Sequence, residues 1–323
     1  MTAKVFIDGE SGTTGLQISQ RLRGRRDIEL LHLSHEERRD LNRRAEMLNT
    51  AAVSILCLPD DAAREAVSLV RNADARIIDA STAHRTADAW TYGFPEYNAG
   101  QPELIARSKR VTNPGCYACA AVSMLHPLVK AGILPPDHPV TLNAVSGYSG
   151  GGKSLISKFE ADNGTETNFY LYGLELEHKH VPEVQKHGRL TKRPLFVPSV
   201  GRFAQGMIVS LPLQLWALPG SPSVAAVHDA LAEHYSGSNG AKGVEVTSLQ
   251  DSAAFATWLD AEALDGTDRM TLHVFGNEAR EQAVVCAVLD NLGKGAAGQV
   301  VQNLELMLGL PSTPAPAPVG VYG

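Results

Sequence analysis

The opening of the chain narrows the choice of fold most. Lys4-Val5-Phe6-Ile7-Asp8 is a short apolar strand, and Gly9, Gly12 and Gly15 follow at once, ahead of a helix-like run from Leu16 to Leu22. Glycines between a strand and a helix let backbone N–H groups and the helix N-terminus approach a pyrophosphate without side chains in the way. The spacing differs from the ordinary Gly-x-Gly-x-x-Gly pattern, so the motif alone also fits a turn that holds no ligand. Thr13 and Thr14 offer hydroxyls in the same turn.

Strand and helix signals then alternate. Ile28 to Leu33 reads as a second strand, Glu36 to Arg44 as solvated loop or helix, and Ala52 to Leu58 as a third strand. Ala62 to Arg71 is helical, Ile77 to Ala80 is a fourth strand, and Arg110 to Thr112 is a last one. Such alternation implies an α/β fold with a parallel sheet covered on both faces. At the end of the second strand, a fold that binds NAD would carry an acidic residue for the ribose hydroxyls. Here the chain reads His32-Leu33-Ser34-His35, with Arg38 and Arg39 close behind. Ser34 and Arg38 suit a 2′-phosphate, which points to NADP; Glu36 and Glu37 fit a solvated charge run as well.

After residue 138 the texture changes. Residues 139–145, 194–200, 207–215, 244–249 and 270–275 read as strands separated by long gaps, an antiparallel or mixed sheet in a second, α+β domain. Ala296 to Leu308 reads as a helix, and a Pro-rich tail follows from Pro311. With 323 residues, 44% hydrophobic and 20% charged, two packed domains are within reach. The formal charge of -6 argues against non-specific nucleic-acid binding. There is no apolar run of the ~18 residues a membrane span needs. The start lacks the charged front and cleavage region of a secretory signal. Cys57 and Cys286 lie in apolar stretches and read as buried hydrophobes, which fits a reducing compartment and places the chain in the cytoplasm.

Asn113-Pro114-Gly115-Cys116-Tyr117-Ala118 sets a cysteine at the beginning of a helix that extends to Lys130 and is interrupted or kinked at Pro127. Helix N-terminal N–H groups favour a thiolate there, although position alone fits a buried structural cysteine equally. Cys119 completes a Cys-x-x-Cys pair; without a second pair or a Cys/His cluster this is no zinc site, and no metal is expected. Cys119 reads as a packing residue, able to form an inactivating disulfide under oxidation.

On these residues the chain resembles the N-acetyl-gamma-glutamyl-phosphate reductase family, in its shorter subgroup. The resemblance rests on the Gly9-to-Gly15 turn, Asn113-Pro114-Gly115-Cys116-Tyr117, Ser146-Gly147-Tyr148-Ser149-Gly150-Gly151-Gly152-Lys153, His178-Lys179-His180-Val181-Pro182-Glu183-Val184 and the block from Gly295 to Asn303. These blocks stand in order over nearly the whole chain. Two positions depart from the pattern: Cys119, where a small or hydroxylated residue is usual, and Lys153, where an Arg is common. Lysine keeps the charge but lacks the planar fork.

The resemblance implies a Rossmann-type cofactor domain over 1–115 and 294–310. It implies a glyceraldehyde-phosphate-dehydrogenase-like α+β domain over 116–293 for catalysis and oligomerisation, with a tail over 311–323. It also implies NADPH-dependent reduction of N-acetyl-L-glutamyl 5-phosphate to the 5-semialdehyde with release of phosphate, by a homo-oligomer acting on a small molecule. Cys116 would be the nucleophile and His180 the acid–base group, with His178 a close rival that spacing does not separate. Ser81, Arg85, Ser149, Lys153 and Arg202 are the candidates for the substrate's phosphate and carboxylate. Asn303 would hold the nicotinamide carboxamide, with Gly298 allowing close approach. A related acyl-phosphate reductase, of the aspartate-semialdehyde or aminoadipyl-phosphate type, would share this machinery; a cofactor-binding regulatory protein without catalysis is the reading from another class.

Overall fold

The computed structural model describes residues 2–236 and 243–312. The expected tail therefore lies, from residue 313 on, outside the described residues. The chain forms two compact units. Of the described residues, one holds those up to 95, 100–115 and 296–312; the other holds 96–99, 116–236 and 243–295. Residues 294 and 295 thus join the second unit rather than the first, and Glu96–Ala99 goes with them. The physical reason is local: Lys294 forms a buried ion pair with Glu96, and Gly295 packs on Cys116.

The first unit is built on β1 (Ala3–Asp8), α1 (Thr13–Leu22), β2 (Ile28–Leu31), α2 (Leu41–Thr50), β3 (Val53–Leu56), α3 (Asp60–Ser68), β4 (Arg76–Asp79), β5 (Thr91–Tyr92), α4 (Gln101–Arg107) and β6 (Arg110–Thr112). These strands form one sheet in the order β2-β1-β3-β4-β6-β5, parallel throughout. Period-two alternation sorts its side chains. Val5, Ile7, Val53, Ile55 and Ile78 face a core shared with Ile18 and Leu22 of α1 and Val300, Leu304 and Met307 of the last helix. Phe6, Leu56 and Ile77 face the opposite core, with Leu48 of α2 and Ala63 and Ala66 of α3. Apolar residues on both sides explain why these strands read as continuous runs.

The second unit begins with α5 (Cys116–Lys130), a helix buried on every side from Tyr117 to Leu128. It runs through Pro127 without interruption. Proline has no N–H for the carbonyl four residues back, that of Ser123, and the Tyr235 hydroxyl donates to this carbonyl instead, at 2.8 Å. There follow β7 (Thr141–Gly147), α6 (Gly152–Glu160), β8 (Phe169–Leu171), α7 (Val181–His187), β9 (Leu195–Gly201), β10 (Met207–Gln214), α8 (Val224–Ser236), β11 (Val244–Val246), α9 (Leu249–Ala254), β12 (Met270–Asn277) and β13 (Gln282–Leu289). The sheet order is β11-β12-β13-β10-β7-β9-β8. It is mixed: β11 with β12 and β7 with β9 are parallel, the other pairs antiparallel. Its third strand, β13, was visible in the sequence only as the apolar stretch around Cys286. A single π-type turn, Gly293–Ala297, then leads into α10 (Gly298–Leu308). No helix among the described residues is long and apolar enough to cross a membrane.

Candidate active site

In the first unit, the three glycines of the opening turn answer to different demands. Gly9 has a φ of +89°, and a Cβ there would stand 2.3 Å from the Cys57 carbonyl oxygen. A Cβ on Gly15 would stand 2.4 Å from the Gly9 oxygen. Both positions need glycine for the fold itself. Gly12 does not: its φ of -72° suits any residue, and its nearest neighbour would be 3.4 Å away. Gly12 is the N-cap of α1 and supplies no side-chain cap, and the first turn, with Thr13 and Thr14, has no acidic residue. The N–H groups of this turn, with no side chain on Gly12 to cover them, fit the pyrophosphate of a dinucleotide.

Ser34 and Glu37, just beyond β2, form a reciprocal cap. The Ser34 N–H donates to the Glu37 carboxylate at 2.9 Å, and the Glu37 N–H donates to the Ser34 hydroxyl oxygen at 3.3 Å. This gives Glu37 a local role and leaves Arg38 exposed. Glu10, inside the glycine turn, pairs with His32 at 3.1 Å and accepts from the Ser19 hydroxyl at 2.7 Å. Burial raises its carboxyl, but the bonds from Ser19 and His32 and the charges of His32 and Arg38 outweigh this, and the net shift is downward. The end of β2 and the glycine turn therefore share one electrostatic environment.

Ser81 and Arg85 hold the turn after β4. The fully buried Asp79 carboxylate accepts from the Ser81 N–H and hydroxyl at 2.9 and 2.8 Å, and contacts His84 at 2.6 Å. The buried Arg85 guanidinium donates to the carbonyls of Asn113 and Ala80, each at 3.0 Å. Those donors fix the backbone just before Cys116. Asn303 is also fully buried, and its Nδ2 donates to Gly93 O at 2.9 Å and Asn113 Oδ1 at 3.1 Å. Its Oδ1 has no hydrogen-bond partner among the described residues, an acceptor suited to an amide donor such as a carboxamide. Gly298 is the buried first residue of α10.

In the second unit, Cys116 is the half-buried first residue of α5. The next residue, Tyr117, lies in a cluster of rings. Tyr117 meets His178, His180 and Phe196 edge-on, at 5.8, 6.0 and 5.2 Å between centroids. The Tyr172 hydroxyl donates to the Tyr117 hydroxyl at 3.3 Å, and the latter donates to Ser199 O at 3.2 Å. Burial, first among several causes, pushes the Tyr117 phenol well up and the Tyr172 phenol to about 12; the nearby Cys116 charge acts in the same direction on both. Both phenols therefore stay protonated as donors at neutral pH. The two histidines differ in what they face. The His180 N–H donates to His178 Nδ1 at 3.2 Å, so neutral His178 carries its proton on Nε2, which lies 3.5 Å from the Tyr172 hydroxyl. His180, buried, is the N-cap of α7, followed by Val181 and by Pro182 in the first turn. Neither tyrosine had been singled out as a functional residue from sequence; Tyr117 stood only inside a motif, and Tyr172 carried no signal.

Ser149 is buried, accepts from Asn291 Nδ2 at 2.9 Å and so ties its loop to the chain before the π-type turn. Lys153 and Arg202 are exposed. Arg202 donates to Thr165 O at 2.5 Å and lies 6.0 Å from the Phe159 ring, so part of its fork is engaged with the protein. Burial pushes the other three thiols up: Cys57 and Cys286 to about 12, with Asp79 and Asp8 adding to the effect at Cys57, and Cys119 further. Among the described residues no group of three or more His, Cys, Asp or Glu side chains is placed to hold a metal ion.

Comparison with known proteins agrees with this division. Residues 4–105 match the family described as semialdehyde dehydrogenase, NAD binding domain, and residues 116–291 match semialdehyde dehydrogenase, dimerisation domain. An N-acetyl-gamma-glutamyl-phosphate reductase of Brucella ovis is 55% identical over 313 residues, covering 96% of this chain and 100% of that one. Its counterpart from Chelativorans sp. is 53% identical over 308 residues, covering 95% and 99%. Among solved structures, aspartate semialdehyde dehydrogenase II of Vibrio cholerae superposes with a TM-score of 0.70 at 17% identity, covering 96% of this chain and 99% of that one, a likeness of fold alone.

Proposed function

The chain belongs to the N-acetyl-gamma-glutamyl-phosphate reductase family, and we propose that Cys116 and His180 carry out that family's reaction in it. The reaction is the NADPH-dependent reduction of N-acetyl-L-glutamyl 5-phosphate to N-acetyl-L-glutamate 5-semialdehyde, with release of phosphate, a step of arginine biosynthesis. The observation that carries the assignment of the nucleophile is the placement of Cys116, half-buried as the first residue of α5, whereas Cys57 and Cys286 lie outside any helix and Cys119 is buried one turn further on.

Sulfur of Cys116 attacks the acyl carbon and phosphate leaves, so one C–S bond forms and one C–O bond breaks. N–H groups at the start of α5 face the carbonyl oxygen as negative charge develops on it. The phenols of Tyr172 and Tyr117, whose protons are engaged with Tyr117 and Ser199 O, stay neutral near Cys116, so no second negative charge opposes the thiolate. His180 takes the thiol proton during attack and returns a proton when the Cys116–substrate adduct collapses to aldehyde and free thiol. NADPH, when bound, supplies the hydride. Gly12, Thr13 and Thr14 would hold its pyrophosphate between the structurally required Gly9 and Gly15, Ser34 and Arg38 its 2′-phosphate, and Asn303 beside Gly298 its carboxamide. Lys153 and Arg202, exposed in the second unit, serve the substrate's anionic groups, Ser149 holds its own loop through Asn291, and in the first unit Ser81 and Arg85 hold the turn after β4. The enzyme works as a homo-oligomer through the unit that matches a dimerisation domain, in the cytoplasm.

The test runs the reaction backwards. Phosphate-dependent formation of NADPH from N-acetylglutamate semialdehyde should exceed that from aspartate semialdehyde by at least about a hundredfold, and NADP should be preferred to NAD. Equal rates with the two aldehydes, or none with either, would overturn the assignment.

A further inference from the structure

Glu96 and Lys294 lie 198 residues apart and are both fully buried. Lys294 Nζ donates to both carboxylate oxygens at 2.8 Å, and the Gly243 N–H donates to Oε1 at 3.1 Å. Gly243 fits against the pair only because it lacks a side chain, since a Cβ there would stand 2.2 Å from Glu96 Oε1 and 2.5 Å from Lys294 Nζ. Nothing in the chemistry above uses these two charges. Burying them is costly, and such a pair is best retained where it fixes one arrangement of the chain over others.

What it fixes is visible in the next residue. Gly295 packs directly on the nucleophile: a Cβ there would stand 2.8 Å from Cys116 Cβ and 3.4 Å from its Cα. The Gly295 N–H donates to Asp290 O at 2.9 Å, which pins the other end of the turn. The buried thiol of Cys119, one helical turn after Cys116, is exposed to the charges of Lys294, Glu96, Glu183 and Cys116 itself. The ion pair and the reacting sulfur thus occupy one corner of the second unit.

We infer that the Glu96–Lys294 pair is a positioning device for the nucleophile, holding Gly295 as the wall against which Cys116 is set. This rests on the reading of Cys116 as the nucleophile. Lys294 anchors the π-type turn by its side chain, and Glu96 receives it. The contact at Gly295 then restricts where the Cys116 side chain can stand at the head of α5. A sulfur held in one position relative to the helix N–H groups attacks with less reorganisation than one free to move. Glu96 and Lys294 do not touch the reacting atoms; they act through Gly295.

Three variants of the full-length enzyme test this: Glu96→Gln, which keeps the shape; Glu96→Gln/Lys294→Met, which removes both charges; and Gly295→Ala, which leaves the pair intact and alters only its contact. Each is measured for kcat, KM for the acyl phosphate, thermal midpoint, and the rate of Cys116 alkylation by iodoacetamide against pH. The expected result is a loss of about tenfold or more in kcat with KM changed less than about threefold, together with a shifted alkylation profile. Gly295→Ala should show this when assayed well below its own thermal midpoint, whether or not the pair variants fold. Parent-like kcat and alkylation in Gly295→Ala would overturn the inference, as would losses in the pair variants that vanish once they are assayed well below their thermal midpoints. Failure of the nucleophile assignment looks different: alkylating Cys116 of the parent would leave activity intact.

Discussion

Two of the helices that follow a parallel strand, α1 and α5, use the same physical resource in opposite ways. At the start of α1 the unpaired N–H groups of a helix are left bare, because Gly12 has no side chain and no capping group stands before them. At the start of α5 the first residue carries a sulfur, and the following twelve residues are buried. In each case the partial positive charge of the helix end favours an anion. One helix offers it to an anion that diffuses in, the other to an anion that belongs to the chain. A glycine precedes each helix, Gly12 before one and Gly115 before the other, and the difference lies at the first helical residue, Thr13 in one and Cys116 in the other. The surroundings then follow: half-exposed threonines around the first, the buried Tyr117 and His180 and the half-buried Tyr172 and His178 around the second.

The largest expected effect lies at the start of α5. His180→Ala should lower kcat by about a hundred- to ten-thousandfold, the usual worth of general acid–base assistance, with NADPH binding retained. His178→Ala should cost less, because its Nδ1 is already engaged by the His180 N–H. Steady-state kinetics on both variants decide this, and a collapse confined to His178→Ala would transfer the role to that residue.

At the start of α1, the glycines should separate binding from folding. Gly15→Ala forces a Cβ to 2.4 Å from backbone and should destabilise the protein by about 1–3 kcal/mol. Gly12→Ala should leave the thermal midpoint nearly unchanged and weaken NADPH binding about tenfold, or ~1.4 kcal/mol. Fluorescence titration beside thermal unfolding reads both, and a Gly12→Ala protein that binds NADPH normally would remove the phosphate from that turn. Smaller again is the change at Arg38. Arg38→Ala should raise the Michaelis constant for NADP by about tenfold, the worth of a charge-assisted contact, and that for NAD by less than about twofold. Equal effects on the two cofactors would break the 2′-phosphate assignment.

The depth of burial around α5 has a consequence that α1 does not share. His126, inside α5, is pushed down to about 3, chiefly by burial and then by the charges of His234, Arg189 and Lys130; His234 is lowered too, again chiefly by burial. A histidine depressed in the folded state binds protons better when unfolded. It therefore withdraws stability as pH falls below the unfolded value of ~6.5 and goes on doing so toward the folded value. Each such histidine contributes a slope of at most ~1.4 kcal/mol per pH unit. Denaturant unfolding between pH 7 and 4 should show a decline that is shallower in His126→Gln, and an unchanged slope would argue that these rings are not held neutral.

How much of this could be read from the residues follows the same contrast. Five strands of the first sheet were legible because they are short apolar runs closed by Gly, Ser or charged residues, the signature of a parallel sheet buried on both faces, while the two-residue β5 at its edge was not read. The helix head at Cys116 was legible from Asn113-Pro114-Gly115. The second sheet was only partly legible: β13 stood out as apolar but not as a strand, and β8, whose Phe169 and Leu171 are exposed, gave no burial pattern. The helices α6, α7 and α8 were not foreseen, since polar residues and the Gly-rich start of α6 mask their periodicity. Tyr172, and the match of Glu96 to Lys294, are set by tertiary contacts between distant segments, for which no local pattern exists. Ser34 was read as a phosphate ligand, and its reciprocal bond with Glu37 shows that Ser-x-x-Glu was also a capping signal.

The central claim is that Cys116 becomes acylated. Mixing the enzyme with N-acetylglutamyl phosphate in the absence of NADPH, quenching in acid and mapping the peptides by mass should reveal an acetylglutamyl thioester on Cys116, with one phosphate released per active site. The adduct should persist in Cys119→Ala and be absent from Cys116→Ala, which should still bind NADPH. Phosphate release that requires NADPH and leaves no adduct, or an adduct on any residue other than Cys116, would contradict the account.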